Sequence, residues 1–100
     1  MEKLEIRILP KAAMIISQQA EWYHNNRGES FSVTLIKNTV SDIEAIASMP
    51  TIGRKIPTRG KREYRVFISH RKCLIKYWYS SRTLYIVDIV FTDTHSPRFF

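Results

Sequence analysis

Few side chains in this sequence could do chemistry, and those that could lie mostly in its second half. His95 is one, because an ordinary imidazole titrates near pH ~6.5 and can give or take a proton under physiological conditions. His24 falls at a helix end and His70 at a turn tip, where exposure accounts for both. Arg65 sits in a strand-like run, on the opposite face from Tyr64 and Val66, and its guanidinium could hold phosphate oxygens through two hydrogen bonds. It could equally be solvated or pair with Asp88. Lys61 and Arg62 come just before it and could track a nucleic-acid backbone. Tyr77 and Tyr79 alternate with Trp78, so whichever side faces out offers a platform on which bases could stack. Tyr79, near a strand end, is the better candidate for that platform, and core packing is the expected fate of Trp78. Lys61, Arg62, Arg65, Tyr79 and Arg82 thus form the candidate target-binding set.

Other chemistries find no support. The sequence has no Gly-rich phosphate loop, no Ser/His/Asp set, no paired carboxylates and no metal-ligand spacing, so no cofactor and no metal are expected. Cys73 is the single cysteine; it excludes an internal disulfide and suits a reducing cytoplasm. The longest apolar run near the start, Ala12 to Ile16, is far shorter than the roughly 20 residues of a membrane span. A soluble, cytoplasmic protein is expected.

Charge narrows the partners. Sixteen Lys and Arg against nine Asp and Glu give +7, and the pI is near 9.9, a balance that favours polyanions and acidic proteins. Residues 54–82 hold ten basic side chains and one acid, Glu63, a local balance of +9, whereas the rest holds six basic and eight acidic, −2. The polyanion-binding surface therefore belongs to the second half.

The elements that must position these residues can be read from periodicity. One domain over residues 1–100 is expected from the length. Residues 3–9 alternate apolar and charged, as in a strand with one wet face. Pro10 can open a helix in which Ala13, Ile16, Ala20 and Tyr23 share a face, and Asn25-Asn26-Arg27-Gly28 ends it. Ser30 or Ser32 can cap a second helix with a stripe of Val33, Ile36, Val40, Ile43 and Ala47, widened by Leu35 and Ile46 and closed by Met49-Pro50. Residues 50–60 read as a loop. Strands follow at roughly 63–69, 73–79 and 83–91, and the last of them, apolar on both faces except Asp88, belongs inside the sheet. The sum is an α+β fold, β-α-α-β-β-β, with a helical hairpin packed on a mainly antiparallel four-stranded sheet.

Four stretches also fall in a familiar order. They are Ala20-Glu21-Trp22-Tyr23, Met49-Pro50-Thr51-Ile52-Gly53-Arg54, Glu63-Tyr64-Arg65-Val66-Phe67-Ile68, and Ile86-Val87-Asp88-Ile89-Val90-Phe91 ahead of Asp93-Thr94-His95-Ser96-Pro97. With this order of elements, the sequence resembles the RelE/ParE superfamily of toxins from type II toxin–antitoxin (plasmid stabilisation) systems. The resemblance implies growth arrest, an acidic antitoxin partner and a toxin–antitoxin hetero-oligomer. It also implies one of two targets, since RelE cuts messenger RNA on the ribosome while ParE poisons DNA gyrase. In a metal-independent endoribonuclease of the RelE kind, Arg65 would stabilise the phosphate charge and His95 would move the proton. This chain lacks a downstream helix bearing a second Arg and a Tyr, which RelE carries, and that tips the expectation towards ParE and gyrase. A non-catalytic RNA-binding module, or a structural ribosome-associated protein, would share the basic charge.

Overall fold

The computed structural model describes residues 3–69 and 73–91. Its elements run β1 (Glu5–Ile8), α1 (Pro10–Arg27), α2 (Glu29–Ser48), a short 3-10 turn (Pro50–Ile52), β2 (Arg54–Ile56), β3 (Tyr64–Ser69), β4 (Cys73–Tyr79) and β5 (Thr83–Phe91). The strands form one five-stranded sheet in the order β1-β5-β4-β3-β2. Among the described strands only β1 pairs in parallel, with β5. The fold is α+β, with one strand more than the sequence suggests: β2 lies in the stretch read as a loop. Three residues flanked by Gly53 and Pro57 are too short for a period-two pattern to register.

Pro10 opens α1, where a missing amide proton costs nothing, and Gly28 ends it at φ 99°, a left-handed region that glycine enters without a Cβ clash. Helix α2 starts at the next residue, so neither Ser30 nor Ser32 caps it. Ser32 is instead buried between the helices, its Oγ donating to the Ala20 carbonyl at 2.9 Å.

Both helices are turned by part of one residue step from the stripes expected of them: Ala20, Ile43, Ile46 and Ala47 are buried as expected, while Ala13 is exposed. In α1 the buried residues are Ala12, Ile15, Gln19 and Ala20. In α2 the inner line runs Ser32, Thr39, Asp42, Ile43, Ile46 and Ala47, which leaves Val33, Ile36 and Val40 exposed. Small polar side chains fit this register because each finds a partner: Thr39 Oγ1 donates to the Leu35 carbonyl at 2.8 Å within the helix, and Ser69 Oγ donates to Asp42 Oδ2 at 2.8 Å, tying α2 to β3. The core is then Ile15 from α1, Ile43 and Ile46 from α2, Ile75 and Tyr77 from β4, and Leu84, Ile86 and Ile89 from β5. Ile43→Asp should therefore unfold the protein by burying an unpaired charge, while Val33→Asp should cost under about 1 kcal/mol. Thermal melting of the two variants checks the register, and equal losses would contradict it.

A bulge in β5 keeps its apolar residues on the core. Lys76 lies opposite Asp88 and Tyr77 opposite Ile86, so Val87 has no residue across from it. The extra residue shifts the alternation, and Leu84, Ile86, Ile89 and Phe91 are all buried. Among the described residues no helix is long and apolar enough to cross a membrane.

Cys73, buried beneath α2, has its thiol pushed up to about 12, first by burial and then by the Asp42 carboxylate. The native state thus keeps a proton that the unfolded chain releases near pH ~9, so stability should fall by about 1.4 kcal/mol per pH unit above that point. Denaturant titrations from pH 8 to 11 should show a shallower fall in Cys73→Ala; an identical slope would contradict the assignment.

Candidate functional site

The strand register sorts the candidate residues by face. Arg65 lies opposite Tyr77, Phe67 opposite Ile75 and Ser69 opposite Cys73, on the side the helices cover. Tyr64, Val66 and Ile68, with Leu74, Lys76 and Trp78, lie on the side they leave open.

Arg65 is thus an inward-facing residue, with its side chain 12% exposed. Its Nη1 donates to the Gly53 carbonyl at 2.7 Å and to the Thr51 carbonyl at 3.2 Å, and its Nη2 pairs with Glu63 at 3.5 Å. The Nε is buried with no hydrogen-bond partner. Tyr77 works on the same turn: its hydroxyl accepts from the Gly53 amide at 2.9 Å and donates to the Pro50 carbonyl at 2.7 Å. Burial pushes the Tyr77 phenol up, which keeps that donor protonated. A Cβ on Gly53 would lie 2.5 Å from the Tyr77 hydroxyl, so the turn also needs glycine there. Together Arg65 and Tyr77 clamp residues 50–54 onto the end of the sheet. The alternative pairing of Arg65 with Asp88 does not form, because Asp88 is on the open face and binds Lys11 at 3.0 Å. His95 lies outside the described residues, as does His70.

The open face carries a different set of groups. Trp78 stacks on Tyr85 with ring centroids 4.1 Å apart and planes 11° from parallel, and the Arg62 guanidinium lies 3.9 Å above the Trp78 ring. Lys61, Arg62, Glu63, Trp78 and Tyr79 line a hollow at this end of the sheet. Arg82 sits in the exposed β4–β5 turn at the same end, where its carbonyl accepts from the Glu5 amide at 2.9 Å. Tyr79 reaches the hollow only in part, since it also packs against the core from the helix side. The stacked pair of the open face is therefore Trp78 and Tyr85, so Trp78 is not a core residue as expected, while Tyr79 lies between the hollow and the core. One signal could have found it: Cys73, Ile75 and Tyr77 alternate with Leu74, Lys76 and Trp78, and the lysine marks the second trio as the wet one.

This arrangement can bind an anionic or planar group. Glu63 is held between Lys55 at 3.3 Å and Arg65. Among the described residues no group of three His, Cys, Asp or Glu side chains could hold a metal ion.

The architecture has a clear counterpart among solved structures. A chain of the chromosomal ParDE TA system from P. aeruginosa superposes with a TM-score of 0.72, covering 91% of this chain and 98% of that one. This is a ParDE-type fold. Sequence identity across the superposition is 13%, so the likeness lies in the fold, which in this chain is a helical hairpin on one face of a mixed sheet. No family model and no curated protein matches the sequence. The ParDE-type fold places the cation–aromatic cluster on a face that no helix covers among the described residues.

Proposed function

We propose that this chain is the toxin of a toxin–antitoxin pair, arresting growth by binding a cytoplasmic target, DNA gyrase, and held inactive by an acidic antitoxin in a hetero-oligomer. The observation that carries this reading is the open-face cluster of Arg62, Trp78 and Tyr85, a cation laid on stacked rings that offers a target both a charged and an apolar contact. The ParDE system of the structural neighbour supports the partnership, and the inward tether of Arg65 favours binding over phosphate chemistry. A +7 chain that exposes Val33, Ile36 and Val40 suits an acidic, partly disordered partner that folds over helix and sheet surfaces on contact.

The second reading is an mRNA endonuclease, favoured by one feature: stacked rings beside arginine also suit unpaired RNA bases. His95 separates the two. A surface binder moves no proton, so His95→Ala should leave toxicity within about threefold of wild type, whereas loss of a general acid or base costs roughly 10²–10⁴ in rate. Growth curves during induced expression, with and without the co-expressed acidic partner, read both. Unarrested growth with soluble, folded protein would sink the toxin reading altogether.

A further inference from the structure

The open face carries a row of rings that crosses the sheet. Ile56 lies opposite Tyr64, Trp78 opposite Tyr85, and Arg7 beside Tyr85; because Arg65 lies opposite Tyr77, Tyr64 comes next to Trp78. The row therefore runs Ile56, Tyr64, Trp78, Tyr85, Arg7 over all five strands, about 19 Å at roughly 4.8 Å per strand. Each ring has a cation at hand: Lys76 lies 4.8 Å over Tyr64, Arg62 lies 3.9 Å over Trp78, and Arg7 is next to Tyr85 in the register. Arg62 and Tyr85 take the two faces of Trp78, so this stack ends in a guanidinium plane and a phenol ring, each able to receive a further planar group.

The neighbouring row is Arg54, Val66, Lys76 and Asp88. Asp88 is neutralised by Lys11 at 3.0 Å, and Arg7 reaches Glu5 only at 4.0 Å on the exposed surface. Arg54, Arg62 and Lys76 have no carboxylate within ion-pair distance among the described residues. The face therefore keeps an unspent positive charge beside its rings, which fits a polyanion whose own planar groups are unstacked. A duplex hides the faces of its bases, so a single strand fits and a duplex does not. Next to the rings the floor is aliphatic, with Ile56, Val66, Leu74 and Val90. A ribose 2′-hydroxyl laid against it would be buried without a partner, which favours deoxyribose.

We infer that the open face binds single-stranded DNA, whose bases extend the stack of Arg62, Trp78 and Tyr85 while its phosphates are set against Arg7, Arg54 and Lys76. The inference rests on the gyrase reading and deepens it. The surface that arrests the target meets the DNA strand that the target handles, so the toxin binds the enzyme–DNA complex in preference to the enzyme alone.

The test titrates the purified full chain into a labelled DNA single strand of about 12 nucleotides, the RNA of the same sequence and the DNA duplex, read by fluorescence anisotropy. Wild type should bind the DNA strand at least about tenfold tighter than either alternative. Its log affinity should fall against log salt with a slope of about −2, since each of three phosphate contacts on a single strand contributes about 0.7, and Arg54→Gln and Lys76→Gln should each make the slope shallower by about 0.7. Tyr85→Leu should weaken binding about tenfold, whereas Tyr85→Phe, which keeps the ring, should bind like wild type; melting temperatures near wild type show that both are folded. RNA bound as tightly as DNA, a preference for duplex, equal binding by the two Tyr85 variants, or an unchanged salt slope in both glutamine variants would overturn the inference. Failure of wild type to bind any of the three would overturn it too, and supercoiling stopped by the same preparation would then keep the toxin reading in place.

Discussion

Arg65→Ala is expected to lower the melting temperature by roughly 15 °C and to abolish toxicity as a consequence. The side chain holds two backbone carbonyls of the 50–54 turn and one carboxylate, nearly out of water. Hydrogen bonds to a charged group contribute about 1.5–3 kcal/mol each and do not add fully, so a loss of about 3 kcal/mol is expected for truncating the whole side chain. In a domain of this size each kcal/mol shifts the melting point by about 4–8 °C. Arg65→Lys keeps the charge but not the fork that spans Gly53 and Glu63, and should recover less than half of the loss. Tyr77→Phe should move in the same direction by about 1–3 kcal/mol, because it leaves the buried Gly53 amide without its acceptor. A protein that lost toxicity in Arg65→Ala while melting like wild type would show instead that this arginine meets the target.

The second large effect belongs to the open face. Arg62→Glu should reduce toxic potency about 30-fold or more, the scale expected when a central side chain of an interface is replaced, while the melting temperature stays within about 3 °C. The stability should survive because Arg62 is exposed and its guanidinium rests on the Trp78 ring, while the hydrogen bond from Thr58 goes to its backbone carbonyl, which the substitution keeps. Trp78→Ala should be at least as damaging, since it also leaves Tyr85 without its stacking partner. Dose–response growth curves with matched expression, set beside thermal melts, measure both. A toxin indifferent to either change would move the target site off this face.

Much of the fold was legible because strong patterns marked it. Cys73–Tyr79 and Thr83–Phe91 are strands with the expected bounds, and Pro10 and Gly28 delimit α1 as their backbone preferences require. The helix registers were legible in part: Ala20, Ile43, Ile46 and Ala47 are buried as their stripes require, but hydropathy favours Val33 over Ser32 and Val40 over Thr39. Only the hydrogen bond from Ser32 to Ala20 and the local bond of Thr39 show why the polar residues go inside. The site was half legible for a related reason. Arg62 stood out by its charge, but its companion ring was misjudged, because a tryptophan in an apolar strand reads as core unless Lys76 beside it is used to assign the face. Arg65 was legible as important. Its role was not, since no local pattern reveals that the Gly53 and Thr51 carbonyls lie within its reach.

Whether this surface arrests a target by binding it is measured most directly by adding purified wild type and Arg62→Glu in parallel to a gyrase supercoiling reaction and to a translation reaction read by primer extension. The account predicts that wild type stops supercoiling and leaves the messenger uncut, and that Arg62→Glu does neither. Specific RNA fragments produced by wild type and lost in His95→Ala, with supercoiling untouched, would contradict it.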